Sequence, residues 1–253
     1  MMTDALPEKS SCAHRIAMWS GPRNISTAMM RAWGNRPDTL VCDEPLYAHY
    51  LFVTRKPHPG MEEVIAAGEI DWRKVTDWLT GPVPEGRSIF FQKHMAHHLL
   101  PDMEREWIGR LQNVLLVREP REMLTSLVKT TPDAGLEDTG LPQQWELFEW
   151  LRDRTGEAPI VIDARDVLEN PRGMLEVLCS RLGVTFTDAM LAWPPGPRST
   201  DGVWAKHWYH EVEKSTSFRP YKPKDEAVPD RWRGLLQDCN AIYARLHEVR
   251  LTL

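Results

Sequence analysis

No stretch of this chain approaches the roughly 20 consecutive apolar residues that a membrane-spanning helix requires. The opening Met1 to Ser11 is polar and acid-containing, without the apolar core of a signal peptide. The sequence therefore reads as a soluble, cytoplasmic protein with no membrane partner. Basic charge is also short: 31 Lys and Arg against 36 Asp and Glu give a net charge of −5. No global positive field exists to gather nucleic-acid phosphates, so a nucleic-acid partner is not expected and only local basic pockets are. Cysteine is sparse. Cys12, Cys42, Cys179 and Cys239 stand far apart, without the paired short spacings of a zinc site or a small disulfide framework, and read as reduced thiols. Internal repeats are lacking as well, which excludes a solenoid.

What is present is ordinary globular material, 253 residues with 42% hydrophobic and 26% charged side chains, enough to bury a core. Residues 1–12 read as a flexible tail and 13–253 as one domain. Arg15 to Ser20, Thr39 to Cys42, Ser88 to Gln92, Asn113 to Val117 and Pro159 to Asp163 are short apolar runs of the kind buried in parallel sheets. Helical patterns fall between them, over Ser26 to Trp33 with hydroxyl caps at its start, and near Asp71 to Leu79, Pro101 to Gly109, Arg121 to Lys129 and Gln143 to Arg152. A final helix spans Asp230 to Val249. Strands alternating with helices predict a three-layer α/β/α domain with a central parallel sheet, of the P-loop NTPase type. Between about 193 and 229 the chain is irregular and aromatic and reads as a loop or lid.

The first strand runs straight into Gly21-Pro22-Arg23-Asn24-Ile25 and then a helix. Such a turn points successive backbone N–H groups, and the positive end of the helix dipole, at an anion. The Walker pattern is nevertheless broken. Ser26 stands where its second glycine belongs and Thr27 where its lysine belongs, leaving Arg23 as the loop's single cation. A P-loop kinase uses that lysine on the β/γ-phosphates.

Ser20 to Thr27 resembles the 5′-phosphosulfate loop of the sulfotransferase family, in which a basic residue and hydroxyls replace the Walker lysine. A second element resembles the family's 3′-phosphate pair, a strand-end arginine and a serine in the following helix. Here these are Arg118 and Ser126, eight residues apart. Arg118 offers a planar fork of donors to phosphate oxygens; the plainer reading of the same residue is an ion pair with Glu119 or Glu122. Val161 to Val184 resembles the family's later strand, acidic turn and helix. More loosely, Asp201 to Lys206 resembles the late loop that covers the nucleotide. The resemblance implies 3′-phosphoadenosine-5′-phosphosulfate (PAPS) as donor and PAP as product, held by Gly21, Pro22, Arg23, Asn24, Ser26, Thr27, Arg118, Ser126 and Lys206.

Past the third strand comes Lys93-His94-Met95-Ala96-His97-His98, at the strand end where ligands collect in open α/β sheets. The histidines lack the H-E-x-x-H carboxylate of a helical metal pair, and no metal is expected. The resemblance implies a lysine supporting the departing bridging oxygen, which is Lys93, and a histidine taking the acceptor's proton. A helix beginning at Lys93 puts His94 and His98 on one face and turns His97 away. Glu44, after the second strand, is a rival base, since some branches of the family use a carboxylate. Three functions follow: sulfuryl transfer from PAPS to a small-molecule hydroxyl or amine, phosphoryl transfer from ATP and magnesium by a P-loop kinase, and nucleotide binding without catalysis.

Overall fold

Ile16, Ala17, Met18 and Trp19 have no exposed surface, which is the mark of a strand covered on both faces. The computed structural model describes residues 13–224 and 226–253, so the tail expected over 1–12, with Cys12, lies outside the described residues. The first strand, β1 (His14–Ser20), is central. It pairs in parallel with β3 (Ile89–Met95) on one side and β4 (Gln112–Val117) on the other; β2 (Thr39–Asp43) and β5 (Ile160–Asp163) complete the sheet, in the order β2-β3-β1-β4-β5. Alternation along β1 sends Ile16 and Met18 to one core, with Met29, Trp33, Leu175 and Leu178, and Ala17 and Trp19 to the other, with Leu79, Leu147, Leu151 and Leu246.

The first core is covered by α1 (Ser26–Gly34), α7 (Ala164–Glu169) and α8 (Pro171–Leu182). The second is covered by α4 (Trp72–Thr80), α6 (Leu141–Thr155) and α11 (Arg233–Glu248), with α5 (Pro120–Leu127) beside α11. Two short helices, α2 (Tyr47–Thr54) and α3 (Met61–Ala67), pack together beyond β2 and carry no counterpart in the sequence reading. The helix expected over Pro101 to Gly109 does not form. Turns lead to a short 3-10 segment at Ile108–Arg110, and the Arg105 guanidinium donates to the carbonyls of Leu100 and Met103, which a helix would have used. Among the described residues no helix is long and apolar enough to cross a membrane, and Cys42, Cys179 and Cys239 are free and buried.

The aromatic stretch after Trp193 is anchored in the first core at a few positions, while most of its described residues are partly or fully exposed. Trp193, Ala205, Tyr209 and Phe218 are buried in the first core, around α9 (Ala205–Trp208) and α10 (His210–Glu213). Arg31 of α1 clamps Asp201 with two hydrogen bonds, at 2.5 and 2.7 Å, and both side chains are buried. Such a planar fork-to-carboxylate match suits a desolvated pair.

Candidate functional site

The order of the strands fixes where a ligand can sit. From β1 the chain goes outward through α1 to β2, while β4 lies on β1's other flank, so the crevice at the carboxyl ends of β1 and β4 is the switch point of the sheet. The Ser20 to Thr27 turn opens there. Helix α1 begins at Ser26 with Ile25 as its N-cap and no side-chain cap; the expected hydroxyl caps are absent. The first-turn N–H groups of α1 therefore face the crevice without intrahelical partners, and the Ser26 and Thr27 hydroxyls are not spent on capping. Asn24 shapes the turn by donating to the Leu116 carbonyl at 2.9 Å and accepting from the Ile25 N–H at 2.8 Å. Gly21 cannot be replaced: a Cβ there would lie 2.2 Å from the Thr139 carbonyl oxygen. Gly140 follows in the left-handed region, φ 72°, and packs on Gly21, so residues 139–140 press the loop from above.

Arg118 and Ser126 converge on that loop. The Arg118 guanidinium donates to the Arg23 carbonyl at 2.5 Å, and Arg23 Nε donates to Ser126 Oγ at 2.7 Å. Arg118 also donates twice to Glu122 Oε2, at 3.0 and 3.4 Å, so the plainer ion-pair reading holds with Glu122 as the partner. Of its five N–H hydrogens, those three contacts leave two. Lys224, which the sequence reading missed, is the next cation. Partial burial and then the Arg118 charge lower its pKa; for Arg23 the same two causes, in the same order, act in the same direction. Three cations drawn together against their mutual repulsion have the charge to attract an anion. The small crevice between Gly21, Pro22, Asn24, Arg118, Thr139 and Gln144 lies beside them. Lys206 stands elsewhere, in α9, with its ammonium on Glu63 of α3. The signal for Lys224 was the basic run Tyr221-Lys222-Pro223-Lys224, overlooked inside the irregular segment.

The run from Lys93 to His98 is arranged differently from expectation. Strand β3 continues through Met95 and is followed by a 3-10 turn, Ala96–His98, so Lys93 and His94 point to opposite faces. His94 stacks on Trp19, centroids 4.2 Å apart, in the second core. Burial first, and Lys93 second, push its pKa down to about 3, and it is a packing residue. His98 is sandwiched between Tyr47 and Tyr50, each 4.7 Å away. His97 meets the edge of Tyr50, and its backbone lies against Gly140 above the loop. Burial lowers the pKa of both, that of His97 to about 3.

Lys93 is 1% exposed and all three of its ammonium hydrogens are engaged, by Asp43 at 2.9 Å, Glu44 at 2.5 Å and the Tyr209 hydroxyl at 2.8 Å. Burial alone would lower its pKa; the carboxylates of Asp43 and Glu44 raise it well above the usual value. In this arrangement no hydrogen is left for the departing oxygen that Lys93 was expected to support. Glu44 sits in the left-handed region at φ 41°, which turns it out of line at the end of β2. Burial raises its pKa, Lys93 opposes this and Asp43 adds to it. Among the described residues no group of three His, Cys, Asp or Glu side chains is arranged to hold a metal.

With this geometry in place, comparison with known proteins is decisive: the sulfotransferase-domain family profile matches residues 14–247. The chain belongs to the sulfotransferase family. The match extends past Val184, where the sequence motifs thin out, and takes in the Tyr221 to Lys224 segment and most of α11. Two solved sulfotransferases share the fold. The sulfotransferase domain of the Synechococcus PCC 7002 olefin synthase is 18% identical with a TM-score of 0.55, covering 94% of this chain and 97% of that one. The Alicyclobacillus acidocaldarius sulfotransferase is 14% identical with a TM-score of 0.52 and the same coverage. Among curated relatives, branched-chain-amino-acid aminotransferase-like proteins 2 and 1 of Arabidopsis thaliana are 33% and 34% identical, over 90% of this chain. This sulfotransferase-family chain spans 40% of the length of each, so what those longer proteins do as wholes does not transfer to it.

Proposed function

We propose that this member of the sulfotransferase family moves a sulfuryl group from PAPS to a hydroxyl or amine of a small-molecule acceptor, with residues 13–253 as one catalytic domain in the cytoplasm. The observation that carries the reading is the convergence of Arg23, Arg118 and Ser126 at the β1/β4 switch point. The site fits such a donor. Gly21 lets the backbone of residue 139 close against the turn, first-turn N–H groups and the Ser26 and Thr27 hydroxyls suit the 5′-phosphosulfate, and Arg118, Ser126 and Lys224 suit a separate 3′-phosphate. The donor supplies the activated sulfuryl group; the protein supplies binding, orientation and a base.

Glu44 is the base in this reading, in place of the histidines. Its pKa is raised while theirs are lowered, and a base works best with a pKa near the working pH. Lys93 then positions Glu44 through Oε1 and leaves the other oxygen for the acceptor's proton. Charge on the departing oxygen falls to Arg23 and the loop N–H groups. The loop has no Walker lysine for a β/γ-phosphate, which disfavours the kinase reading, and a positioned carboxylate disfavours a purely binding role.

The test pairs calorimetry with product analysis. The protein should bind PAP without magnesium and more tightly than ATP with magnesium, and PAPS incubated with phenols, alcohols and amines should yield a sulfated product by mass spectrometry. Tight binding only of magnesium-ATP, with a phosphorylated product, would establish the kinase instead.

A further inference from the structure

Glu122 is an unusual neighbour for an anion site. Its side chain is 5% exposed and it lies next to the arginine that would meet the 3′-phosphate. A buried carboxylate there repels an incoming phosphate unless its charge is fully engaged, and it competes with the ligand for the same guanidinium hydrogens. The structure shows how it is engaged. Oε2 accepts both of the N–H groups that Arg118 gives to Glu122, while Oε1 accepts the Tyr221 hydroxyl at 2.7 Å. Burial alone would raise the pKa of Glu122, but the bonds from Tyr221 and then Arg118 outweigh it and hold the carboxyl below its usual range.

Tyr221 reaches this carboxylate from 99 residues away in sequence. Its ring is covered on one side by the Arg165 guanidinium, 4.9 Å from the centroid, from α7. Three residues later comes Lys224, and Glu226 then pairs with Lys129 just beyond α5 at 2.8 Å. That pair is largely exposed and contributes little. Tyr221 thus tethers the segment before Lys224 to α5, and Val228 packs on the α5 residues Met123, Leu124 and Leu127 after it.

We infer that Tyr221 and Glu122 are positioning residues that set the enzyme's selectivity for a 3′-phosphorylated nucleotide. By occupying Oε1, the tyrosine hydroxyl confines Glu122 to a single oxygen on Arg118, so that the two remaining N–H groups of the guanidinium stay turned toward the phosphate loop. Without the hydroxyl, the freed Oε1 turns to Arg118, draws the fork off the loop and releases the segment that carries Lys224. Neither residue touches the donor; both act through Arg118 and Lys224. The inference rests on the PAPS reading above and adds to it the device by which the 3′-phosphate is distinguished.

Binding of PAP and of AMP, which lacks the 3′-phosphate, is measured by calorimetry for the wild-type protein, Tyr221→Phe and Glu122→Gln, with thermal melts alongside. Tyr221→Phe should weaken PAP roughly 5- to 20-fold, less than the full worth of a hydrogen bond to a charged group because the tyrosine acts through Arg118 and Lys224, and leave AMP within about twofold. Glu122→Gln keeps one acceptor oxygen for the Tyr221 hydroxyl but then turns amide N–H donors toward the Arg118 guanidinium, and should also reduce the PAP-to-AMP ratio while the protein still melts cooperatively. If Tyr221→Phe leaves the ratio unchanged in a protein whose wild type prefers PAP, or weakens PAP and AMP equally, Tyr221 is structural and the inference is wrong. A wild-type protein with no preference for PAP over AMP overturns the donor assignment itself, and this inference with it.

Discussion

Replacing Arg118 by alanine isolates the residue on which the donor assignment turns. The guanidinium makes three contacts within the protein and has two N–H groups left, which is the complement of donors a phosphate accepts from one arginine. A hydrogen bond to a charged partner contributes about 1.5–3 kcal/mol. With 19% of the side chain exposed, solvent screening puts the expected loss in the lower half of that range, or roughly 10- to 50-fold in Kd. Calorimetric titration with PAP and with AMP should show that loss for PAP alone. The substitution also removes the Arg118 to Arg23 carbonyl contact, and a loosened loop would weaken both nucleotides, so the ratio of the two constants carries the answer. Equal weakening would refute the 3′-phosphate role and leave Arg118 as a residue that holds the fold. The same variant strands Glu122, whose lowered pKa contributes stability above its unfolded value of about 4.3. That contribution is lost as pH falls through the folded pKa, so the stability of Arg118→Ala should depend less on pH below about 4.3 than that of the wild type.

Glu44→Gln should lower sulfuryl transfer by about 10² to 10⁴ and leave PAP affinity nearly intact, while alanine at His97 or His98 costs far less. Since burial raises the Glu44 pKa, wild-type turnover should climb as pH rises through that pKa; a flat profile in initial-rate assays would exclude Glu44 as the base. Gly21→Ala drives a Cβ to 2.2 Å from the Thr139 carbonyl, and should displace residues 139–140 and abolish PAP binding in the same titration, a result that unchanged affinity would contradict. Lys93→Met leaves Asp43 and Glu44 without their cation; urea unfolding at pH 7 should report a loss of about 3–5 kcal/mol. That penalty should shrink toward acid pH as the carboxylates protonate, and an equal penalty at both pH values would show that their charges are not the cause.

The alternation of short apolar runs with amphipathic ones was enough to place five strands in a parallel sheet, because a strand buried on both faces leaves a continuous hydrophobic signature that few other elements produce. The glycine turn and the interval from Arg118 to Ser126 were legible for a related reason. Each lies within one strand-turn-helix unit, where local geometry determines which side chains face the crevice. The run from Lys93 to His98 was not legible, since a run with three histidines can equally open a helix or extend a strand. The decision came from pairing: Lys93, His94 and Met95 are held in the sheet by β1, in register with Met18, Trp19 and Ser20, and that placement sends Lys93 to Asp43 and His94 to Trp19.

Chain position therefore determined the fold class, the glycine turn after the first strand and the interval from Arg118 to Ser126 on the next strand-turn-helix unit, all of which depend on periodicity and short spacings. Only the tertiary structure decided which charged groups are free to act. Lys93 is spent on Asp43, Glu44 and Tyr209, Glu122 is shared between Arg118 and Tyr221, and Lys206 is drawn away to Glu63. Apart from the bonds Lys93 makes to Asp43 and Glu44 and the i,i+4 pair of Arg118 with Glu122, these contacts join residues about 100 or more positions apart. A side chain's availability is set by the partners that packing brings to it and by the solvent that packing removes, and neither quantity has a period that a sequence can display.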